Sequence, residues 1–197
     1  FQLETVDCFR PDVSAILNIT PDHLNRHHTM DNYIDAKFNI TNNQTPKDTC
    51  VLNYEDEVLR KMGENLQCRI IWFSSKQRLN QGLCLNGERI VYYPGNPEYL
   101  KRFSGFEQEL EDDFVPIIDV KELNIIGKHN YENAMAAIAC AMTLGVPLAL
   151  IREALCNFKA VEHRTEFVAE KKGVRYYNDS KGTNPDASIQ AVRAMDA

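Results

Sequence analysis

Nothing in the sequence approaches the roughly 18 consecutive apolar residues that a membrane-spanning helix needs, and no basic segment followed by an apolar one stands at its start. No two of the six cysteines form a Cys-x-x-Cys pair, the usual spacing of a zinc ribbon or a dithiol redox centre. Positive charge is scarce: 22 lysines and arginines face 28 aspartates and glutamates, leaving a net charge of −6. That balance argues against a general binder of nucleic acid or of a membrane surface. Internal repeats and low-complexity tracts are missing too. So is a complete phosphate loop: GLCLNGE, residues 82–88, approaches the pattern but carries Glu88 where lysine is required. Its Asn86-Gly87 pair, between strand-like runs, reads as a hairpin turn.

What remains is the composition of an ordinary globular protein, with 197 residues, 44% hydrophobic and 25% charged. This is enough for one large domain, or one domain and part of another. Cys8, Cys50, Cys68, Cys84, Cys140 and Cys156 each fall in strand- or helix-like apolar runs and read as buried free thiols of a reducing cytoplasm. The chain opens on FQLE and stops inside the helical pattern QAVRAMDA, which reads as a piece of a longer protein.

The pattern along the chain is that of an α/β protein. VSAILNI (13–19), CVLNY (50–54), RIIWFS (69–74) and FVPIIDV (114–120) read as strands. MDNYIDAKFNITNN, with Asp31 as its N-cap, and EDEVLRKMGENL read as helices between them, so a mostly parallel sheet with helical crossovers is expected. Residues 96–113 read as a solvated excursion. YENAMAAIACAMTLGVP reads as a helix with Gly145 just past its end and Pro147 beyond, followed at once by the helix PLALIREALCNF. TEFVAEKKGVRYYND reads as a hairpin turning near Lys172-Gly173, and a domain boundary is expected near Ala160.

Five stretches carry more chemistry than their elements need. In NITPDHLNRH (18–27), Asp22 and His23 follow a strand end, where ligands of open α/β sheets gather. They suit a metal or a phosphate, or else a helix cap. Lys37 in YIDAK falls on the same helical arc as Tyr33 and Ile40. An ammonium on an apolar face must be paired, lose its proton, snorkel to water or be modified. A neutral amine that takes up carbon dioxide becomes a carbamate, an anionic magnesium ligand. In GKHNYENA (127–134), His129, Asn130 and Asn133 crowd the start of a helix. Carboxamides there suit an adenine edge, or ordinary capping by Asn130. Arg164 in EHRTE could reach a phosphate or pair with Glu162 or Glu166. YNDSKGTNP (177–185) places Asp179, Ser180, Lys181 and Thr183 between strand and helix. Capping by Thr183 or Asn184, with Pro185 in the first turn, leaves Asp179 and Lys181 without a structural task.

In order and spacing, FQLE, NITPDHLNRH, YIDAK, GKHNYENA, EHRTE and NDSKGTN resemble the Mur ligases, over essentially the whole chain. FQL and NDSKGTN are similar to the member that adds D-glutamate. The resemblance implies residues 1–160 as the later part of a central ATP-binding domain and residues 161–197 as the start of a Rossmann-like C-terminal domain. It implies an ATP-dependent acid–D-amino-acid ligase of peptidoglycan precursor synthesis, cytoplasmic and monomeric, acting on UDP-N-acetylmuramoyl-L-alanine and D-glutamate. By the same resemblance His23 binds Mg2+, Lys37 is carbamylated, and Asn130 and Asn133 contact the nucleotide near adenine. Arg164 lies near the phosphates, Asp179 holds the ATP ribose, and Lys181 and Thr183, with Ser180 beside them, receive D-glutamate. The family's glycine-rich phosphate loop and an acidic magnesium ligand are absent from these residues, so the 197-residue chain by itself is expected to be inactive. A folylpolyglutamate-synthase-like ligase and a metal-dependent hydrolase built on Asp22 and His23 are the alternatives.

Overall fold

In the computed structural model, residues 2–125, 127–159, 161–183 and 185–195 are described. The boundary expected at Ala160 and the cap expected at Asn184 lie outside them. Six strands form one sheet in the order β1 (Val13–Ile16), β2 (Thr49–Asn53), β3 (Arg69–Ser74), β4 (Gly82–Asn86), β5 (Arg89–Tyr93) and β6 (Val115–Asp119). The first four run parallel, while β5 is antiparallel to both its neighbours. Between β1 and β2 come α1 (Leu24–His27) and α2 (Met30–Phe38), and between β2 and β3 comes α3 (Glu57–Gly63). No helix joins β3 to β4. Phe73 pairs with Leu83, so β4 starts level with the end of β3 and a short loop suffices. Gly82 makes that entry possible: at φ 134°, any side chain there would collide with the Trp72 carbonyl.

The sheet is filled on both faces with the period of two that a strand requires. Val51, Phe73, Leu83 and Tyr92 pack against α4 (Lys128–Thr143) and α5 (Leu148–Asn157). Cys50 and Leu52 turn the other way, toward Tyr33 and Phe38 of α2 and Leu59 of α3. At the end of α4, Gly145 at φ 81° donates to Met142 O and Val146 donates to Ala141 O, the paired bonds of a Schellman motif. A second sheet holds only β7 (Glu166–Lys171) and β8 (Val174–Asn178), turning through Lys172 and Gly173 at φ 53° and 77°. It leads into α6 (Pro185–Met195).

Three expectations change. The α2 cap is Thr29, whose extended backbone lets its hydroxyl accept from Asn32 N–H, while Asp31 already lies within the first turn. Residues 96–113 are not merely solvated. Leu100 and Phe106 are fully buried, and Tyr92 of β5 meets both Phe103 and Phe106 edge-to-face, the two phenylalanine rings being tilted to each other. All six cysteines are free thiols, but only Cys50, Cys68 and Cys84 are buried; Cys140 and Cys156 are half-buried, Cys8 is exposed, and Cys8 and Cys68 lie in bends outside the elements.

Candidate active site

Because β1, β2 and β3 run parallel, their carboxyl ends share one edge of the sheet, and the polar groups gather there. Just past β1, the Asn18 carbonyl accepts from Lys37 Nζ at 3.1 Å. The same ammonium stands 4.8 Å from the centroid of the Tyr33 ring, one helical turn back on α2. Lys37 is half-buried, and as a plain ammonium it meets a carbonyl and an aromatic face. It lines a cleft of about 290 Å³ together with Gln2, Leu3, Asp22, His23 and His27.

His23 enters α1 in the left-handed region, at φ 52° and ψ 27°, and caps nothing with its side chain. Asp22 Oδ1 accepts from the His23 N–H at 2.8 Å, and its other oxygen lies 3.6 Å from Nε2. The His23 side chain is 58% exposed and so open to a ligand.

Farther along the same edge, α4 is tied to the strand ends. Glu132 accepts from Ser75 Oγ at 2.5 Å and from Asn53 Nδ2 at 3.4 Å. Ser74 donates to Glu55, whose carboxylate also receives Gln77 Nε2. This fixes the first turns of α4, where Asn133 Nδ2 reaches Asn130 Oδ1 at 3.4 Å. Gly127, at φ 94°, holds the N-cap position, and Asn130 lies inside the first turn of α4. His129 is held below its ordinary 6.5, first by burial and then by the Arg164 charge, with Glu132 and Asp179 opposing. Arg164 and Asp179 thus lie within electrostatic reach of the α4 first turn.

Asp179 has a structural task that its sequence context does not reveal. Its Oδ1 accepts from the Thr165 N–H at 2.8 Å and from the Thr165 hydroxyl at 3.2 Å, holding Thr165 at φ 50°. Lys181 N–H donates to His163 O, and Asn178 Oδ1 receives the Ser180 N–H. The side chain of Lys181 is left at the surface, as is that of Thr183. Of the two glutamates offered as ion-pair partners of Arg164, Glu162 and Glu166, the second is engaged elsewhere: Glu166 accepts from the His163 N–H at 2.8 Å, and its carboxylate lies 3.7 Å from the His163 ring.

Asp22 and His23 bring one carboxylate and one imidazole to the cleft, and Lys37 adds an anionic oxygen only as a carbamate. Among the described residues no three His, Cys, Asp or Glu side chains converge as a metal group. So sparse a set fits a cation that takes most of its ligands from phosphate oxygens and water, as magnesium does, and does not fit a structural zinc. A larger hollow of about 340 Å³ lies between β6 and α5, but none of the expected site residues lines it. Its Arg152 is spent on Glu109 and the carbonyls of Pro116 and Ile117.

Sequence reasoning missed Glu4, His27, Asn53, Ser75 and Glu132. Asn53 and Glu132 are 79 residues apart, and no motif marks the pair. The only available signal was polarity at the carboxyl ends of β2 and β3.

The Mur ligase middle domain family matches residues 2–141. The UDP-N-acetylmuramoylalanine–D-glutamate ligase of Lachnoclostridium phytofermentans is 57% identical over 195 residues, covering 99% of this chain and 39% of that protein. Among solved structures, MurF from Acinetobacter baumannii superposes with a TM-score of 0.64 at 23% identity, over 94% of this chain and 37% of that one. MurF from Thermotoga maritima in complex with ADP gives 0.62 at 19% identity, over 94% and 39%. The chain thus spans about two-fifths of the length of the curated relatives it matches (39% for the L. phytofermentans ligase). With the family's pattern matched over residues 2–141, the chain belongs to the Mur ligase middle domain family.

Proposed function

We propose that this chain is the nucleotide-binding middle portion, with the start of the next domain, of an ATP-dependent ligase that joins D-glutamate to UDP-N-acetylmuramoyl-L-alanine in peptidoglycan precursor synthesis. The division falls as residues 1–160 and 161–197, within a monomeric cytoplasmic enzyme. One juxtaposition supports the reading most: Asp22, His23 and Lys37 share a cleft at the carboxyl edge of a parallel sheet. They do so in a chain 57% identical to a relative named for that reaction. The hydrolase alternative is not favoured, because Asp22 and His23 alone form too small a donor set to hold a catalytic metal.

The substrate carboxylate attacks the γ-phosphoryl group of ATP and ADP leaves; the amine of D-glutamate then attacks the acyl carbon of the acyl phosphate, loses a proton and displaces inorganic phosphate to leave the amide. His23 and Lys37, the latter as a carbamate, would hold Mg2+, which would offset charge on the phosphoryl oxygens. Asn130 and Asn133 offer a donor and an acceptor to the adenine edge. Asp179 has Oδ1 committed to Thr165, which leaves Oδ2 for the ribose hydroxyls. Arg164 approaches the phosphates. Lys181 pairs with a carboxylate of D-glutamate, and Thr183 and Ser180 hydrogen-bond it. Closure about residues 160–166 brings these groups to the acyl phosphate and excludes water. No phosphate loop occurs within these 197 residues, which by themselves should therefore release no phosphate from ATP.

The test is Lys37→Ala in the whole ligase, followed by phosphate release that requires both ATP and D-glutamate. Activity should fall by about a hundredfold and recover in part when acetate supplies the missing carboxylate. Full activity in the variant would refute the role of Lys37.

A further inference from the structure

α1 cannot hold its own shape. It is one turn, Leu24–His27, and a first turn fixes several dihedrals for a single hydrogen bond. The chain enters it through His23 at φ 52° and leaves through His28 at φ 66°, two non-glycine residues in the left-handed region. Such strain persists only where the surroundings over-determine it.

Here the surroundings converge on Glu4. Its two carboxylate oxygens receive Arg26 Nε at 3.0 Å each, and Arg26 Nη2 donates at 2.7 Å. Glu4 Oε1 also lies 3.2 Å from Nδ1 of His27. His27 is buried, with its ring 5.4 Å from that of Tyr33, and its carbonyl accepts from Asn32 Nδ2 at 2.9 Å. The segment that carries Glu4 also supplies Gln2 and Leu3 to the cleft, and the Leu3 carbonyl accepts from Asn39 at the end of α2. One carboxylate therefore joins two walls of the cleft, at the turn that presents His23.

We propose that Glu4 is a positioning residue for the magnesium-binding histidine: by clamping Arg26 and His27 it holds α1 against residues 2–5 and keeps His23 in its left-handed conformation at the cleft. This rests on the reading of His23 as a magnesium ligand. Glu4 touches neither metal nor substrate and acts through α1 alone, and groups that orient a ligand in this way typically change metal affinity by about 10–100-fold.

The test uses the full-length ligase with ADP present, Mn2+ as the probe and loss of the free-ion EPR signal as the readout. Glu4→Ala should weaken Mn2+ binding by about tenfold. Glu4→Gln, which keeps the shape and an acceptor for Arg26, should recover part of that loss. In a His23→Ala background, Glu4→Ala should weaken binding no further, because the ligand it positions is gone. A merely structural role would lower stability in both backgrounds alike without this non-additivity. Wild-type binding in Glu4→Ala, or in Glu4→Gln should the alanine variant not fold, overturns the proposal, as does a full second loss in the double variant. Wild-type binding in His23→Ala alone overturns the reading of His23 itself, which separates the two failures.

Discussion

A single methyl group at Gly182 tests how the strand-end turn is built. A β-carbon there would stand 2.5 Å from Oδ2 of Asp179 and 3.2 Å from its carbonyl oxygen. The backbone cannot yield easily, because the Gly182 N–H donates to that carbonyl at 2.9 Å. The carboxylate must therefore rotate, and Oδ1 leaves the Thr165 N–H and hydroxyl. Hydrogen bonds to a charged acceptor contribute about 1.5–3 kcal/mol each. Water replaces much of that at a half-exposed site, so the net loss should be about 2 kcal/mol, or about 30-fold in the local opening equilibrium. Amide hydrogen exchange reads this directly: in the full-length protein, Gly182→Ala should speed exchange at Thr165 by about 30-fold. The KM for ATP should rise with it, with kcat little changed, since the displaced oxygen is the one proposed for the ribose. Asp179→Asn separates the two effects. It keeps an acceptor for Thr165, so exchange should stay near wild type while the KM for ATP still rises. Unchanged exchange at Thr165 in Gly182→Ala would refute the steric argument.

Burial holds His129 below its ordinary 6.5, so on acidification the unfolded chain takes the proton first. The melting temperature should therefore fall as pH drops through about 6.5 toward the folded value, and His129→Gln should flatten that part of the curve between about pH 8 and pH 5. A thiol reagent at neutral pH should modify exposed Cys8 first, and Cys8→Ser should remove the fast phase. Cys84, pushed up to about 11 by burial, should react only after denaturation, as should Cys50, pushed up by its neighbour Cys68 and by burial. Mass spectrometry of the labelled peptides checks the order.

The parts of the fold that the sequence disclosed are those set by short-range chemistry. Asn86-Gly87 and Lys172-Gly173 turn their hairpins, with Gly87 at φ 61°, and Gly145 ends α4 where its left-handed preference places it. What stayed hidden depends on tertiary partners. Leu100 and Phe106 sit among charged neighbours in sequence, and they are buried by the core they join, Phe106 against the Tyr92 and Phe103 rings. Thr29 and Asp31 are both good caps, and the choice between them is made by the extended entry from α1. At the site, Lys37 stood out because an ammonium on an apolar arc conflicts with its surroundings. Glu4 and Glu132 did not, because an isolated glutamate in sequence looks like solvated surface until Arg26, His27, Ser75 and Asn53 are brought beside it.

The bonds that lace Thr165 to Asp179, His163 to Lys181 and the His163 ring to Asn178 join the chain before the β7–β8 hairpin to the chain after it. The two ends of the hairpin are thereby one unit, and any movement of the chain at His163 and Thr165 carries Asp179 and Lys181 with it. On the function proposed above, the group assigned to the nucleotide's sugar and the group assigned to the incoming amino acid would then be delivered together.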